Sequence, residues 1–357
     1  MRILRAAHLG MCFGVRDAIA LALDHADAGP LTILGDLVHN PTVLSALEAK
    51  GIAVAQDVAH VKTPTLMVTA HGTSERTLAR TRALGLTVVE ATCPLVHVAH
   101  SAVAALAREG YHVVIVGQRD HVEVRGLTGD LDRDSFNVVL EDDDVLALEE
   151  HPRLGVAAQT TQAVEKVRHL VDLIRRRFPQ SDVRFLDTVC KPTKERQSAA
   201  VEMARQADVV IVVGGRSSNN TRELAKTCAR YCARVHHVQT DADVCPEWFD
   251  SARVVGLTAG TSTPDDVIDR VEARIRLCAD ASAGQIRQAG VPAARTLRGG
   301  VEAGVPAGPT LRGGVEVEAR IEAMPRTVAM DNRAPEGSHR RRPRARSEAE
   351  REFGRTE

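Results

Sequence analysis

The sequence predicts an α/β protein in which three similar lobes surround one central site, followed by a low-complexity tail. Short β-branched runs alternate with amphipathic helical patterns over residues 1–278, which is typical of parallel sheets covered by helices. A pattern of strand, cysteine and helix also recurs with a period of roughly 90 residues. The alternation therefore predicts the α/β class, and the repeat predicts three lobes.

The first unit contains Cys12, which separates RILRAAHLGM from the helical pattern FGVRDAIALALDHA. The next strand-like run leads to His39, and a later one leads to His71. We assign residues 1–92 to this first lobe. Ligands bind open α/β sheets at the carboxyl ends of their strands, so we expect both histidines to lie near Cys12.

The second unit repeats this order, with Cys93 between TVVEAT and the helical pattern PLVHVAHSAVAALAREG. Its strands lead to His121 and to Thr160, at places equivalent to the two histidines of the first unit. We assign residues 93–189 to this second lobe.

The third unit starts at Cys190, which follows VRFLDTV and precedes KPTKERQSAAVEMARQA. We assign residues 190–280 to this lobe. The polar residues at its strand ends are Ser217, Ser218, Asn219 and Ser262. Three units that face a common centre would bring three thiols and six polar clusters together.

Residues 281–357 differ from the rest of the chain in composition. Residues 289–302 recur almost unchanged as residues 303–316, and the duplicated sequence is rich in Gly, Pro and Ala. An Arg-rich run, HRRRPRAR, follows. Neither stretch has a sustained apolar period, so we expect a mostly disordered, solvated tail rather than an RNA-binding arm.

Composition excludes several classes of function. The net charge of −1 provides no bulk attraction to nucleic acid or to an acidic membrane surface, and aromatic residues make up only 3%. No apolar run reaches the roughly 18 residues that span a bilayer, and the first residues do not resemble a secretory signal. We therefore expect a cytoplasmic protein with reduced thiols, as a monomer or weak dimer.

The three repeated cysteines are candidate metal ligands. Each precedes a helix, so we expect the helix N-terminus to lower the thiol pKa and favour thiolate. Three thiolates suit a zinc ion with one open position, or an iron–sulfur cluster with one iron that lacks a protein ligand. Spacing alone leaves three unrelated core cysteines an equal alternative. The cysteines that we interpret as structural are Cys228, Cys232, Cys245 and Cys278.

The polar groups at the strand ends predict an anion site. Histidines, hydroxyls and an amide near helix starts combine side-chain donors with backbone N–H groups, as in phosphate sites, and no P-loop signature is present. His121 and Glu123 form an H-x-E pair that we expect on one face of an extended segment. Burial would make Glu123 a proton donor. The zinc-deaminase signature is excluded because P-C-x-x-C is missing.

Nine segments in order resemble one enzyme family: CFGVRDAI, LVHNPTV, AHGTS, ATCPLV, HVEVRG, QTT, DTVC, RSSNN and TAGTSTPDD. Over residues 1–278 the chain is similar to 4-hydroxy-3-methylbut-2-enyl diphosphate reductases, the last enzymes of the non-mevalonate isoprenoid pathway. Gln118 stands where that family usually has a histidine, and Val122 stands where it usually has a proline.

The resemblance implies a [4Fe–4S] cluster held by Cys12, Cys93 and Cys190, with a fourth iron open to the substrate hydroxyl. Thr160 would orient that hydroxyl and Glu123 would deliver protons. The products would be isopentenyl and dimethylallyl diphosphate, and ferredoxin or flavodoxin would supply electrons. The implied ligands of the allylic diphosphate substrate are His39, His71, His121, Ser217, Ser218, Asn219 and Ser262.

Two rival functions remain at this stage. An iron–sulfur hydro-lyase would also act on a hydroxyl but without net redox, and the absence of an arginine cluster for carboxylates argues against it. A non-enzymatic cluster-based sensor or RNA binder would use the Arg-rich tail.

Overall fold

The structure, a computed structural model, describes the backbone of residues 1–289 and the side chains of residues 1–279. Its strands form three four-stranded sheets in which every pairing is parallel. The predicted three-lobed α/β class is confirmed. No helix in this part of the chain is both long enough and apolar enough to cross a membrane.

The chain begins with one strand and one helix, and the first sheet follows. One short 3-10 turn occupies Val58–His60 in this lobe. The elements up to the end of the first sheet are β1 (Arg2–Arg5), α1 (Phe13–Ala28), β2 (Leu31–Leu34), α2 (Pro41–Ala49), β3 (Ala53–Ala55), β4 (Thr65–Val68), α3 (Glu75–Ala83) and β5 (Thr87–Glu90). The first sheet has the order β3-β2-β4-β5.

The second lobe repeats this plan. Its elements are α4 (Pro94–Arg108), β6 (His112–Val116), α5 (Val122–Thr128), β7 (Phe136–Val139), α6 (Asp142–Leu146), β8 (Arg153–Ala158), α7 (Val164–Arg177) and β9 (Asp182–Phe185). The sheet order β7-β6-β8-β9 is equivalent to that of the first lobe.

The third lobe holds the last helices and strands of the described chain. Its elements are α8 (Lys191–Ala204), β10 (Val209–Val213), α9 (Asn219–Ala229), β11 (Val235–Val238), the 3-10 turns Asp241–Asp243 and Pro246–Phe249, β12 (Val254–Ala259) and α10 (Asp265–Ala289). The third sheet has the order β11-β10-β12-β1, so its edge strand is the first strand of the chain.

The position of β1 corrects the predicted boundary of the first lobe. β1 pairs in parallel with β12, with Ile3 opposite Val255, rather than with any strand from residues 31–90. The local sequence around β1 specifies a strand but does not specify which partner, because the partner lies some 250 residues away. The lobe predicted as residues 1–92 therefore gives its first strand to the third sheet.

Each cysteine-linked helix crosses from one lobe to the next. After β1 of the third sheet, α1 packs on the first lobe, where Ala18 and Ala22 share a core with Ile33. After β5 of the first sheet, α4 packs on the second lobe, and after β9 of the second sheet, α8 packs on the third. Cys12, Cys93 and Cys190 therefore mark the three passages between lobes.

Central strands are buried along most of their length, as expected for parallel sheets with both faces covered. No residue of β10 has exposed surface, and residues 113–116 of β6 are equally buried. Full burial of a Val or Ile side chain contributes about 1.5–3 kcal/mol. The rigid strands fix the loops at their carboxyl ends, where the site residues stand.

The predicted tail boundary differs from the end of the last helix. α10 continues to Ala289, nine residues beyond the predicted end of the third lobe at residue 280. The expected disorder of the tail, including most of its duplicated segment and the Arg-rich run, concerns residues that lie outside those described here.

Candidate functional site

One cavity is lined by residues from all three lobes, at the carboxyl ends of their strands. It brings together all but one of the predicted site residues. Those at its wall are Cys12, His39, His71, Cys93, His121, Glu123, Thr160, Cys190, Ser218, Asn219 and Ser262. Ser217 is exposed and does not line the cavity, so its proposed contact with the substrate stays a prediction.

The three cysteines form what we call the sulfur end of the cavity. Cys12, Cys93 and Cys190 are the N-cap residues of α1, α4 and α8, and none of the three sulfurs caps its helix. Pro94 occupies the first position of α4, where its fixed φ favours a helix start. A second proline, Pro192, stands at the same end of α8. The sulfurs are thereby held at helix starts that open into one cavity.

Glycine at position 14 permits the close approach of α1 to Cys93. A Cβ atom built on Gly14 would lie 2.4 Å from the Cys93 Sγ, far inside van der Waals contact. The helix that follows Cys12 therefore packs directly against the second thiol. This contact joins two of the three passages between lobes.

The expectation of lowered thiol pKa values is wrong for two of the three cysteines. Burial raises the pKa of Cys93, against the lowering effect of the backbone N–H groups of Leu95 and Val96. Burial likewise raises the pKa of Cys190 to about 11. Desolvation of a thiolate outweighs the helix N-terminus here, because both sulfurs lie away from water.

Such thiols fit a site for metal ions. Several thiolates close together in a poorly hydrated cavity repel one another, and a bound cation removes both the repulsion and the proton. Cys12 is close enough to act electrostatically on both Cys93 and Cys190. The donor set of three sulfurs in one cavity therefore fits a thiolate-ligated metal group with a position left open.

A buried arginine, which sequence reasoning missed, braces the sulfur end. The Arg196 Nε and Nη2 atoms donate to the Gly10 carbonyl at 2.9 and 2.8 Å, and its Nη1 donates to the Pro192 carbonyl at 3.0 Å. Its charge acts on Cys12 and Cys190. The guanidinium thus ties the segment before Cys12 to the helix after Cys190.

Three histidines form the imidazole end of the cavity. The ring centroids of His39 and His71 are 4.3 Å apart in a stacked pair, and His121 lies edge-on at 4.9 Å from His39 and 5.5 Å from His71. The three residues follow β2, β4 and β6, so two lobes contribute. The predicted meeting of these side chains is confirmed by the geometry.

The imidazoles are neutral donors and acceptors rather than cations. Burial lowers the pKa of His39, lowers that of His71 far below its usual range and lowers that of His121 to about 3. Both ring nitrogens of His39 and Nδ1 of His71 are buried without a hydrogen-bond partner among the described residues. An unpaired buried polar atom costs about 1–3 kcal/mol, so these nitrogens are suited to a polar ligand.

Neutral donors of the third lobe complete this end. Ser218 is the N-cap of α9, and the Asn219 amide donates to the Thr161 carbonyl at 3.2 Å. The Ser262 hydroxyl donates to the His39 carbonyl at 3.3 Å and so contacts the first lobe. The nitrogens of the three histidines lie within 4.8 Å of one another, which also suits a metal ion. The ring of hydroxyl and amide groups around them favours an anion instead.

Glu123 lies between the two ends. Its carboxylate is buried and accepts a hydrogen bond from the Thr160 backbone N–H at 2.7 Å. Burial raises the pKa of Glu123 to about 7, against the lowering effect of the Thr160 donors. A carboxyl group with this pKa holds its proton near neutral pH and is suited to general acid catalysis.

The predicted extended segment at His121 and Glu123 is wrong. His121 is the N-cap of α5, and its Nδ1 accepts from the Glu123 backbone N–H at 3.1 Å. His121 itself keeps an extended backbone, but the helix begins at Val122. The H-x-E pair therefore reaches the cavity as a cap and its first helical turn, not as alternate residues of a strand.

Four further polar residues line the cavity beyond the predicted set, and they are Thr161, Thr193, Asn220 and Thr261. Thr193 accepts from the Cys190 thiol at 3.1 Å, and the Asn220 amide oxygen accepts from the Thr261 backbone N–H at 3.0 Å. Each neighbours a predicted residue in the sequence or follows it within one helical turn. Their closeness in the sequence to a predicted site residue was the only signal that could have identified them. Residue type gave no signal, because hydroxyl and amide residues are common at helix starts for capping alone.

Comparison with known proteins agrees with this geometry. A family model described as "LytB protein" matches residues 3–276. Over 276 residues the chain is 38% identical to a 4-hydroxy-3-methylbut-2-enyl diphosphate reductase of Pelobacter propionicus, a match that covers 77% of this chain and 98% of the relative. A reductase of the same name from a Geobacter species is 39% identical over 280 residues and covers 76% and 98%.

Solved structures give the same result. The reductase structure from Plasmodium falciparum superimposes with a TM-score of 0.72 at 26% identity, and the match covers 76% of this chain and 86% of that one. A structure described as (E)-4-hydroxy-3-methyl-but-2-enyl diphosphate reductase, the terminal enzyme of the non-mevalonate pathway, has a TM-score of 0.56 at 36% identity. That match covers 77% of this chain and 99% of the other.

Proposed function

This chain belongs to the LytB family of oxidoreductases, and from that premise we propose that it reduces 4-hydroxy-3-methylbut-2-enyl diphosphate to isopentenyl and dimethylallyl diphosphate. In this reaction the allylic C–O bond breaks and the hydroxyl leaves as water, with consumption of two electrons and two protons. The single observation that carries the proposal is the shared cavity, in which three thiols from three lobe passages face a cluster of neutral donors.

Cys12, Cys93 and Cys190 would hold a [4Fe–4S] cluster with one iron that lacks a protein ligand. When bound, such a cluster supplies single electrons and a Lewis-acidic iron for the leaving hydroxyl. A small carrier of the ferredoxin or flavodoxin kind would deliver the electrons. The donor chemistry of the site supports this assignment, because all three cysteines line one cavity and partial burial raises the thiol pKa values of Cys93 and Cys190.

The imidazole end would bind the diphosphate. His39 and His71 offer buried ring nitrogens that have no hydrogen-bond partner among the described residues, and Ser218, Asn219 and Ser262 add neutral donors around them. A diphosphate held there fixes the position of the allylic carbons without covalent chemistry. The burial of this end also keeps water from competing for the leaving group.

Glu123 would deliver a proton and Thr160 would orient the hydroxyl. The Glu123 carboxyl reaches the cavity from α5, and the Thr160 N–H fixes it at 2.7 Å. Because its pKa is raised to about 7, the group is protonated in a large share of molecules at neutral pH and can release that proton as negative charge develops nearby.

Anaerobic purification tests the proposal. The protein should be brown, should bind about four irons per chain, and should oxidise a dithionite-reduced dye only when the allylic diphosphate is added. A chain that stays colourless after anaerobic reconstitution contradicts it. Turnover without an electron donor would instead identify a hydro-lyase. A variant that ends at Ala289 tests a sensor or RNA-binding role, since full activity of that variant would show that the tail is dispensable.

A further inference from the structure

The imidazole end lacks a permanent positive charge to balance a bound diphosphate. Among the described residues, no lysine or arginine lines the cavity. Its three histidines are neutral, since burial lowers their pKa values. A diphosphate carries two or more negative charges at neutral pH, and placing them in a partly dehydrated cavity without a permanent cation is unfavourable.

Arg222 is a permanent cation near the imidazole end and could supply this missing positive charge. It is the fourth residue of α9 and lies one helical turn after Ser218, so the two residues share a face of the helix. Ser218 lines the cavity. The charge of Arg222 acts on both His39 and His121, whereas that of Arg125 acts on His121 alone.

Gln118 holds the Arg222 side chain near His39 and His121, although neither Gln118 nor Arg222 lines the cavity itself. The Arg222 Nη2 atom donates to the Gln118 Oε1 at 2.7 Å, a bond that joins the third lobe to the second. Gln118 is itself fixed, since its backbone N–H donates to the Gln159 Oε1 at 3.1 Å. It also stands three residues before His121, in the loop that leads to the imidazole end.

The position of Arg222 is hard to explain by fold stability. A cation near a helix N-terminus meets the positive end of the macrodipole, and α9 has no acidic residue in its first turn to offset it. One neutral hydrogen-bond partner does not compensate for a half-buried guanidinium. A bound anion at the imidazole end would do so.

We propose that Arg222 is a specificity residue for the diphosphate: Gln118 holds its guanidinium in the absence of ligand, and the guanidinium turns from Gln118 to the phosphate oxygens when the ligand binds. The inference rests on the proposed function and deepens it. It names the charged group by which this site distinguishes a diphosphate from a neutral or singly charged alcohol derivative. Arg222 acts on the non-reacting end of the ligand and takes no part in proton transfer.

Calorimetric binding of inorganic pyrophosphate to the anaerobic, cluster-loaded chain tests the proposal. Arg222→Gln should weaken binding about 10- to 100-fold, the range for loss of charge-assisted hydrogen bonds. It should also flatten the dependence of affinity on salt. Iron content and the visible spectrum should stay as in the wild type. Arg222→Lys should keep the salt dependence and recover part of the affinity, since it restores charge but not the planar fork.

Substitutions of Gln118 test whether the Arg222 guanidinium exchanges its hydrogen bond with Gln118 for contacts with the ligand. Gln118→Ala should change pyrophosphate affinity by only a few-fold, whereas Gln118→Glu should weaken it about tenfold or more, because a carboxylate pairs with Arg222 and repels the ligand. Arg230→Gln serves as the matched control. It removes a cation from the C-cap of the same helix, where the Arg230 side chain is 62% exposed and pairs with Glu165, and it should leave affinity unchanged.

Two results would overturn the inference. Equal pyrophosphate affinity and equal salt dependence in the wild type and Arg222→Gln would show that the guanidinium does not contact the ligand. Loss of iron in Arg222→Gln would show a structural role instead. A wild-type protein that loads iron but binds no pyrophosphate would contradict the proposed function itself, so the two failures are distinguishable.

Discussion

At the sulfur end of the cavity the same residue type stands at the same place in each lobe, whereas at the imidazole end the equivalent places hold different residues. Cys12, Cys93 and Cys190 each occupy the N-cap position of the helix that crosses to the next lobe. The loops after β2, β6 and β10 carry His39, His121 and Ser218, and those after β4, β8 and β12 carry His71, Thr160 and Ser262. The three-fold plan is kept at one end and broken at the other.

The difference matches the symmetry of what each end is proposed to bind. A cubane cluster held at three corners has equivalent ligand positions, so one residue type serves all three. A diphosphate ester with a reacting hydroxyl has no such symmetry, so each lobe must contribute a different group. A repeated fold can thus keep identical residues where the proposed ligand is symmetric and diverge only where an asymmetric ligand would contact it.

Helix starts show a related contrast. The helices whose first residues line the cavity, apart from α5, have no acidic residue in the first turn; they are α1, α4, α8 and α9. Of the α-helices that start elsewhere, α2 also has none, whereas one or more acidic residues occur in the first turns of α3, α6, α7 and α10. Acidic residues stabilise helix N-termini, so their absence around the cavity leaves positive helix ends available to anions. The exception in α5 is Glu123, the proposed proton donor.

The largest expected effect comes from breaking the symmetry of the sulfur end. Cys93→Ser should lose most of the bound iron and all turnover, because the remaining two thiols cannot hold the cluster firmly. Iron analysis and visible absorbance after anaerobic reconstitution measure this. Cys245→Ser is the control, since Cys245 is exposed and outside the cavity, and it should bind iron like the wild type.

Removing the proton donor should affect turnover next most strongly. Glu123→Gln should retain its iron and lower kcat about 10²- to 10⁴-fold, because the amide cannot act as an acid. The pKa of Glu123 is raised to about 7, so the donor is protonated below that pH and wild-type kcat should fall as pH rises above it. The variant should lose this limb of the pH profile. Glu165→Gln, on the exposed face of α7, should change neither quantity.

A pair of glycine substitutions separates the two ends. A Cβ on Gly14 would lie 2.4 Å from the Cys93 sulfur, and one on Gly215 would lie 2.5 Å from the His39 carbonyl oxygen. Crowding of this kind costs about 1–3 kcal/mol. Gly14→Ala should lower iron occupancy, whereas Gly215→Ala should raise KM with iron unchanged. The opposite assignment, with Gly215→Ala losing iron, would contradict the division into two ends.

The smallest effect is expected at a neutral donor of the imidazole end. Ser262→Ala removes one hydroxyl that donates to the His39 carbonyl at 3.3 Å. Loss of a neutral hydrogen bond costs about 0.5–1.5 kcal/mol, so KM should rise roughly 2- to 10-fold with kcat nearly constant. Steady-state kinetics measure both quantities. A large drop in kcat would place Ser262 in the chemical step instead.

Sequence patterns predicted the parts of the fold and site that depend on local order. Alternating strands and helices gave the lobes, and the residues after each strand gave the cavity wall, because strand ends in parallel sheets share one edge. These local patterns could not predict which strands pair when the two strands are far apart in the sequence. Nothing in RILR indicates that β1 pairs with β12 instead of joining the first sheet.

Burial was the second quantity that sequence could not supply. The helix N-terminus alone predicted lowered thiol pKa values, but desolvation of Cys93 and Cys190 has the opposite and larger effect. Arg196 and Arg222 look like ordinary solvated residues of polar helices. Only the fold shows that Arg196 is buried beside thiols and that Arg222 donates to Gln118 in another lobe.

The central claim is that three sulfurs hold a cluster whose open iron faces the ligand of the imidazole end. Mössbauer spectroscopy of ⁵⁷Fe-loaded, anaerobic protein tests it most directly. Addition of the allylic diphosphate should change the isomer shift of one iron in about four and leave the others unaltered. A spectrum that does not respond to the ligand, or in which all irons respond alike, would contradict the account.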